Sequence, residues 1–218
     1  MKPAKIDLSG VKSIYLFTIF SLAYVIVSYL TNTLLLTDEF YVSIWSEQFS
    51  PDRVSKMLES TEKLEWIIYL LTPAILALKL LLIAASIQAG LYMSDIELPF
   101  KDVFKIVLIA ELVPFLTSLI QFIYFLSTGV NSFDQINSFA PLSLMSLFQD
   151  GSVPSYITYP LQLINVFELV YWVLLAVSLN LYLGKTFFKT FRLVASSYGL
   201  AFLLWLLLVV FIQVQAGV

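Results

Sequence analysis

The stretch "LEWIIYLLTPAILALKLLLIAASIQAGLYM", residues 64–93, decides the fold. A helix that crosses the hydrocarbon of a bilayer needs roughly 20 mainly apolar residues. This run exceeds that length and carries one charged side chain past its first turn, Lys79. A run longer than the membrane is thick tilts or projects a turn into water. Working outward, four more runs qualify, so the expected spans are 14–36, 64–93, 104–128, 161–183 and 193–214. No fixed-period repeat, low-complexity tract or soluble domain separates them, and residues 1–218 read as a single membrane domain.

The composition agrees. The chain is 60% hydrophobic and 12% charged, with a mean hydropathy of +0.90, far from the balance of a soluble domain. A net charge of −3, with no basic patch interleaved with aromatics, excludes a nucleic-acid partner. There is no Cys and no His. Disulfides, thiolate nucleophiles, Ser-His catalysis, HExxH zinc sites and histidine-ligated haem are thereby excluded. No GxGD stretch points to an intramembrane aspartyl protease. No catalytic, metal-binding or cofactor-binding residue is expected, and the protein reads as non-enzymatic.

Lys and Arg in short flanks set orientation. Lys2, Lys5 and Lys12 precede the first span, Lys101 precedes the third with Lys105 just inside it, and Lys185, Lys189 and Arg192 precede the fifth. Connection 129–160 has none. These positions predict a cytoplasmic N-terminus and a C-terminus outside. Connection 37–63 weighs mildly the other way, because Arg53, Lys56 and Lys63 sit among its acids. The apolar run behind the basic N-terminus is long and lacks a small-residue cleavage site, so it reads as a retained span. In "SPDRVSKMLES", a Ser50 cap, Pro51 at the first helical position and the spacing of Val54, Met57 and Leu58 predict a short amphipathic helix. "APLSLMSLF" predicts an interfacial turn.

Ionisable residues inside spans are costly and face the bundle interior or a wet cavity. Here they are Lys79, Glu111 and Glu168. On 100° spacing Lys79 shares a face with Thr72, Ser86 and Gly90; Glu111 lines up with Pro114, Ser118 and Gln121; Glu168 lines up with Asn165 and Trp172. The fifth span has almost no polar stripe in "GLAFLLWLLLVVFI" and is expected to be the most lipid-exposed. Glu111 lies roughly 10 Å from the cytoplasmic end of its span at 1.5 Å per residue, and Lys79 comes to a similar depth. The expected pair is Lys79 with Glu111. Glu168, nearer the outer end, is left protonated or bonded to Asn165, Tyr171 or hydroxyls of the first span. Pro114 lacks an N–H and so releases the carbonyl of Ala110 beside Glu111; Pro73 does the same for Tyr69. The intramembrane polar cluster is therefore expected to comprise Lys79, Glu111, Glu168, Asn165, Ser118 and Gln121.

Two segments carry a family resemblance. "LPFKDVFKIVLIAELVPFLTSLIQFIYFL" has a polar lead with Phe and Lys, an apolar run, then Pro and a second apolar run. "LQLINVFELVYWVLLAVSLNLYLGKTFFKTFRLVASSYGLAFLLWLLL" has Asn-x-Phe, Trp with a Leu-rich run, and a basic link into a final span. Together, covering about a third of the chain, they resemble the Yip1-domain family, with Ser178 where the family's fourth span often turns on Gly. The resemblance implies an all-α, five-helix Yip1-like bundle. Eukaryotic members act in vesicle trafficking and contact Rab GTPases through a long cytosolic N-terminal region. About 13 residues precede the first span here, which points to the bacterial-type branch and the bacterial inner membrane. The expected partners are membrane lipids and other membrane proteins, self-association included. The alternative is a small transporter or permease subunit using Lys79, Glu111 and Glu168.

Overall fold

The computed structural model describes residues 12–148 and 152–216, so Lys2 and Lys5 lie outside the described residues. Among the described residues there are helices and no strands: α1 (Ser13–Leu34), α2 (Asp38–Trp45), α3 (Pro51–Met93), α4 (Phe100–Ala110), α5 (Leu112–Thr128), α6 (Phe133–Asn137), a 3-10 turn at Leu144–Leu147, α7 (Ser155–Leu163), α8 (Val166–Leu183) and α9 (Phe187–Ala216). Five stretches are long and apolar enough to cross a membrane: Ser13–Leu34, Pro51–Met93, Phe100–Thr128, Val166–Leu183 and Phe187–Gln215.

Three boundaries differ from the sequence reading. Pro51 opens a helix as expected, but that helix is no separate amphipathic piece. It runs unbroken to Met93. Residues 59–63 contain no Gly or Pro to stop the hydrogen-bond ladder. At 1.5 Å per residue α3 is about 64 Å long, twice the hydrocarbon thickness, so it extends well beyond it. Pro73 sits inside α3 without ending it. The fourth membrane helix starts at Val166, not at 161, because Asn165 is its cap: extended backbone at Asn165 lets its side chain accept the Glu168 N–H at 2.8 Å. The fifth starts earlier than expected, and Lys189 and Arg192 belong to its first turns.

Breaks elsewhere have local causes. The third membrane helix is interrupted at Glu111, between α4 and α5, where Pro114 withholds a donor from Ala110. Gly184 ends α8 with φ +61°, a conformation that costs glycine little, and its N–H reaches Asn180 O at 2.8 Å. The α7–α8 break is held by Leu142–Leu144, which bonds back through Leu144 N–H to Ile164 O (2.9 Å) and Val166 N–H to Leu142 O (3.1 Å).

The described residues form two compact units. One takes Lys79–Pro114 with residues 12–17, 140–148 and 152–216; the other takes Thr18–Leu78 and Phe115–Phe139. In the first, α8 packs on α9 and on α4, and α7 packs on α9. Its core is Leu80, Ile87 and Leu91 of α3, Ile106 and Leu108 of α4, and Leu175 and Leu179 of α8, all fully buried. Gly90 of α3 meets α9 closely enough that a Cβ there would stand 2.4 Å from Ser197 Cβ. In the second unit aromatic edges join the helices: Phe20 and Tyr24 of α1 contact Phe115 of α5, and Phe40 of α2 contacts Phe133 of α6.

The expectation that the fifth membrane helix is the most exposed is corrected. Only 6% of the apolar window of α1 is buried, against 28% for α9. Ser197, set against Gly90 of α3, and Tyr198, bonded to Glu168 of α8, precede the uniformly apolar stretch and give α9 close and polar contacts that the stretch itself lacks.

Candidate functional site: an intramembrane polar cluster

Glu111 closes α4 and is fully buried, and its Oε1 lies 2.7 Å from Lys79 Nζ on α3. The partners differ in access, since the Lys79 side chain is 39% exposed. A four-carbon stem lets an ammonium reach out of an apolar site; a carboxylate on two carbons enclosed on all sides has no such exit.

Glu168, in the first turn of α8, is bonded differently from expectation. Its Oε1 accepts from Trp172 Nε1 (2.7 Å), one turn along α8, and from the Tyr198 hydroxyl of α9 (2.8 Å). The expected partners Tyr171 and the first-span hydroxyls are not the ones that bond this oxygen, and Asn165 serves Glu168 through the backbone N–H alone. Two bonded sets thus lie in the first unit: Lys79 with Glu111 between α3 and the end of α4, and Glu168 with Trp172 and Tyr198 between α8 and α9.

Trp172 is held from behind. Its ring lies over Gly199, where a Cβ would be 2.7 Å from Cη2, and it packs edge-to-face on Tyr198 and Phe202. Gly199→Ala is expected to swing the ring away and loosen its bond to Glu168, at a cost of about 1 kcal/mol. Intrinsic fluorescence checks this: the emission should shift, and the shift should vanish in a Trp172→Phe background.

Ser118 and Gln121 belong to the second unit. In the second unit they line a cavity of about 350 Å³ with Tyr24, Ser28, Thr31 and Thr72. A second cavity of about 310 Å³ in that unit is lined by Asp38, Tyr41, Glu62 and Glu65 among others. Burial first, then the Glu65 and Asp38 carboxylates, raise the Tyr41 phenol above its ordinary value.

Sequence reasoning missed Tyr198 as the second donor to Glu168. The available signal was "ASSYG", small residues around a tyrosine at the start of a span, a composition that permits close helix approach. It also missed that Lys105, read as a charge just inside its span, is buried, and that Gln88 is buried with its Nε2 bonded to Leu98 O at 3.1 Å.

Chemically these are an ion pair and a carboxylate held by two neutral donors. No group of three or more acidic, His or Cys side chains among the described residues is placed to hold a metal ion. The features together define an all-helical chain with five helices fit to cross a membrane. Comparison with protein-family models, with curated proteins and with solved structures found no match.

Proposed function

We propose that this chain is a non-enzymatic multi-pass protein of a bacterial cytoplasmic membrane, built as a Yip1-like bundle, with its N-terminus in the cytoplasm and its C-terminus outside. It acts through contacts with membrane proteins and lipids. The observation that carries this reading is the bonding of the intramembrane charges: Lys79 to Glu111, and Glu168 to Trp172 and Tyr198. Spent in this way, the polar groups hold helices in register and do not meet a substrate. The outward surface is apolar, with Leu22, Ile26, Leu203 and Leu207 all exposed. A chain without His or Cys has few other groups for catalysis.

Purification from native membrane in mild detergent, with mass spectrometry of bound proteins and lipids, tests the reading. A reproducible set of partners should persist in Glu111→Gln and Glu168→Gln. A reporter fused at Asp134 should register outside; a cytoplasmic signal overturns the orientation.

One observation favours a transporter as the second reading. Lys79 is partly exposed while touching the enclosed carboxylate of Glu111, so a proton could pass between that carboxylate and the outside. In that case Glu111→Gln and Glu168→Gln leave folding intact and abolish a proton-dependent flux in proteoliposomes.

A further inference from the structure

The cavity of the second unit has a lining unlike the polar cluster. None of its lining side chains is charged, so it offers no cation to a phosphate and no carboxylate to an ammonium. Its hydrogen-bonding groups are Tyr24, Ser28 and Thr31 of α1, Thr72 of α3, and Ser118 and Gln121 of α5. Two of these have already spent their one side-chain proton: Thr31 Oγ1 donates to Val27 O (2.8 Å) and Thr72 Oγ1 to Ile68 O (2.8 Å). Gln121 Nε2 gives one of its two N–H groups to Ile136 O (3.3 Å) and keeps Oε1 as an acceptor. The two threonines and the Gln121 carbonyl thus offer lone pairs to a hydroxyl donor.

Phe122 and Phe125 add aromatic wall, and Ile136 of α6 contributes beside Gln121. Ile26, Leu71 and Ile120, which adjoin lining residues in sequence, are exposed, so the cavity lies amid surface fit to face lipid. Its volume of about 350 Å³ matches the share of about a dozen liquid waters at roughly 30 Å³ each, enough for a short chain segment and a hydroxyl but not for a whole lipid.

We propose that this cavity takes part of an uncharged lipid with a free hydroxyl, of the diacylglycerol class. The hydroxyl donates to the lone pairs of Thr72, Ser118 or Gln121, and the adjoining chain lies on Phe122 and Phe125. This deepens the proposed role in lipid contact and rests on it.

The test uses the full chain in phosphatidylcholine nanodiscs containing a trace of diacylglycerol with a diazirine in its chain. After illumination, label should concentrate on the α5 peptide that bears Phe122 and Phe125. Unlabelled diacylglycerol should compete, and triacylglycerol, which has no hydroxyl, should not. Ser118→Val and Gln121→Leu should each lower labelling about fivefold, the equivalent of one hydrogen bond. Thr72→Val, nearly the same shape, should do so too and guards against a variant that fails to fold. Label spread evenly over lipid-facing residues such as Leu22, equal competition by triacylglycerol, or better competition by phosphatidylglycerol would each overturn the proposal. If other lipids or proteins copurify while diacylglycerol fails, this inference falls and the wider reading stands.

Discussion

Lys79→Met is expected to cost about 3 kcal/mol of stability, the lower end of what breaking a buried ion pair costs. The lower end applies because Lys79 is partly exposed and only Glu111 is wholly enclosed. Removing the lysine takes the ammonium away from a carboxylate that cannot move to water. Glu111→Leu is expected to cost less, about 1 kcal/mol, since the lysine stem can carry its ammonium outward. The double variant should recover most of the loss, because two apolar residues replace the pair without an uncompensated charge. Thermal unfolding in a single detergent at constant lipid content checks the order. Equal losses for the two single variants, or additive losses in the double, would show that the pair does not act as a unit.

The second large effect is expected at Gly90. A methyl there meets Ser197 Cβ at 2.4 Å and Oγ at 2.9 Å, and both atoms sit close to the α9 backbone. Neither a flexible tip nor a cavity can absorb the overlap, so α3 and α9 must separate. Gly90→Ala should therefore cost about 2 kcal/mol, as overpacking of a tight contact does, and Gly90→Leu more. Ser197→Gly placed with Gly90→Ala should restore much of it, although glycine in a helix costs up to about 1 kcal/mol by itself. A melting temperature for Gly90→Ala equal to that of the parent chain would mean that the helices do not approach this closely.

These two sites also show how far the residues alone could be read. The Lys79–Glu111 pair was legible because depth along a helix is arithmetic: a fixed rise per residue puts both groups at one level. Gly90 was legible as a small residue on the Lys79 face, but not as the seat of Ser197. The partner comes from a helix more than 100 residues away in sequence. Glu168 was legible as an ionisable group needing partners. Its true donors depend on how α8 rotates against α9, which periodicity within either helix does not specify. Ser118 and Gln121 were legible as polar positions on one helix, but not as the lining of a cavity with residues of α1 and α3.

By itself, then, the sequence determined that the chain is helical and that five segments are long and apolar enough for a bilayer. These are properties of short stretches, set by hydrophobic length. The tertiary structure alone decided that Trp172 and Tyr198 are the donors to Glu168, and that Ser118 and Gln121 line an uncharged cavity with residues of α1 and α3. The physical reason is that helix rotation and pairing are settled by side-chain fit between distant segments, as where Gly90 admits Ser197 and Gly199 admits Trp172.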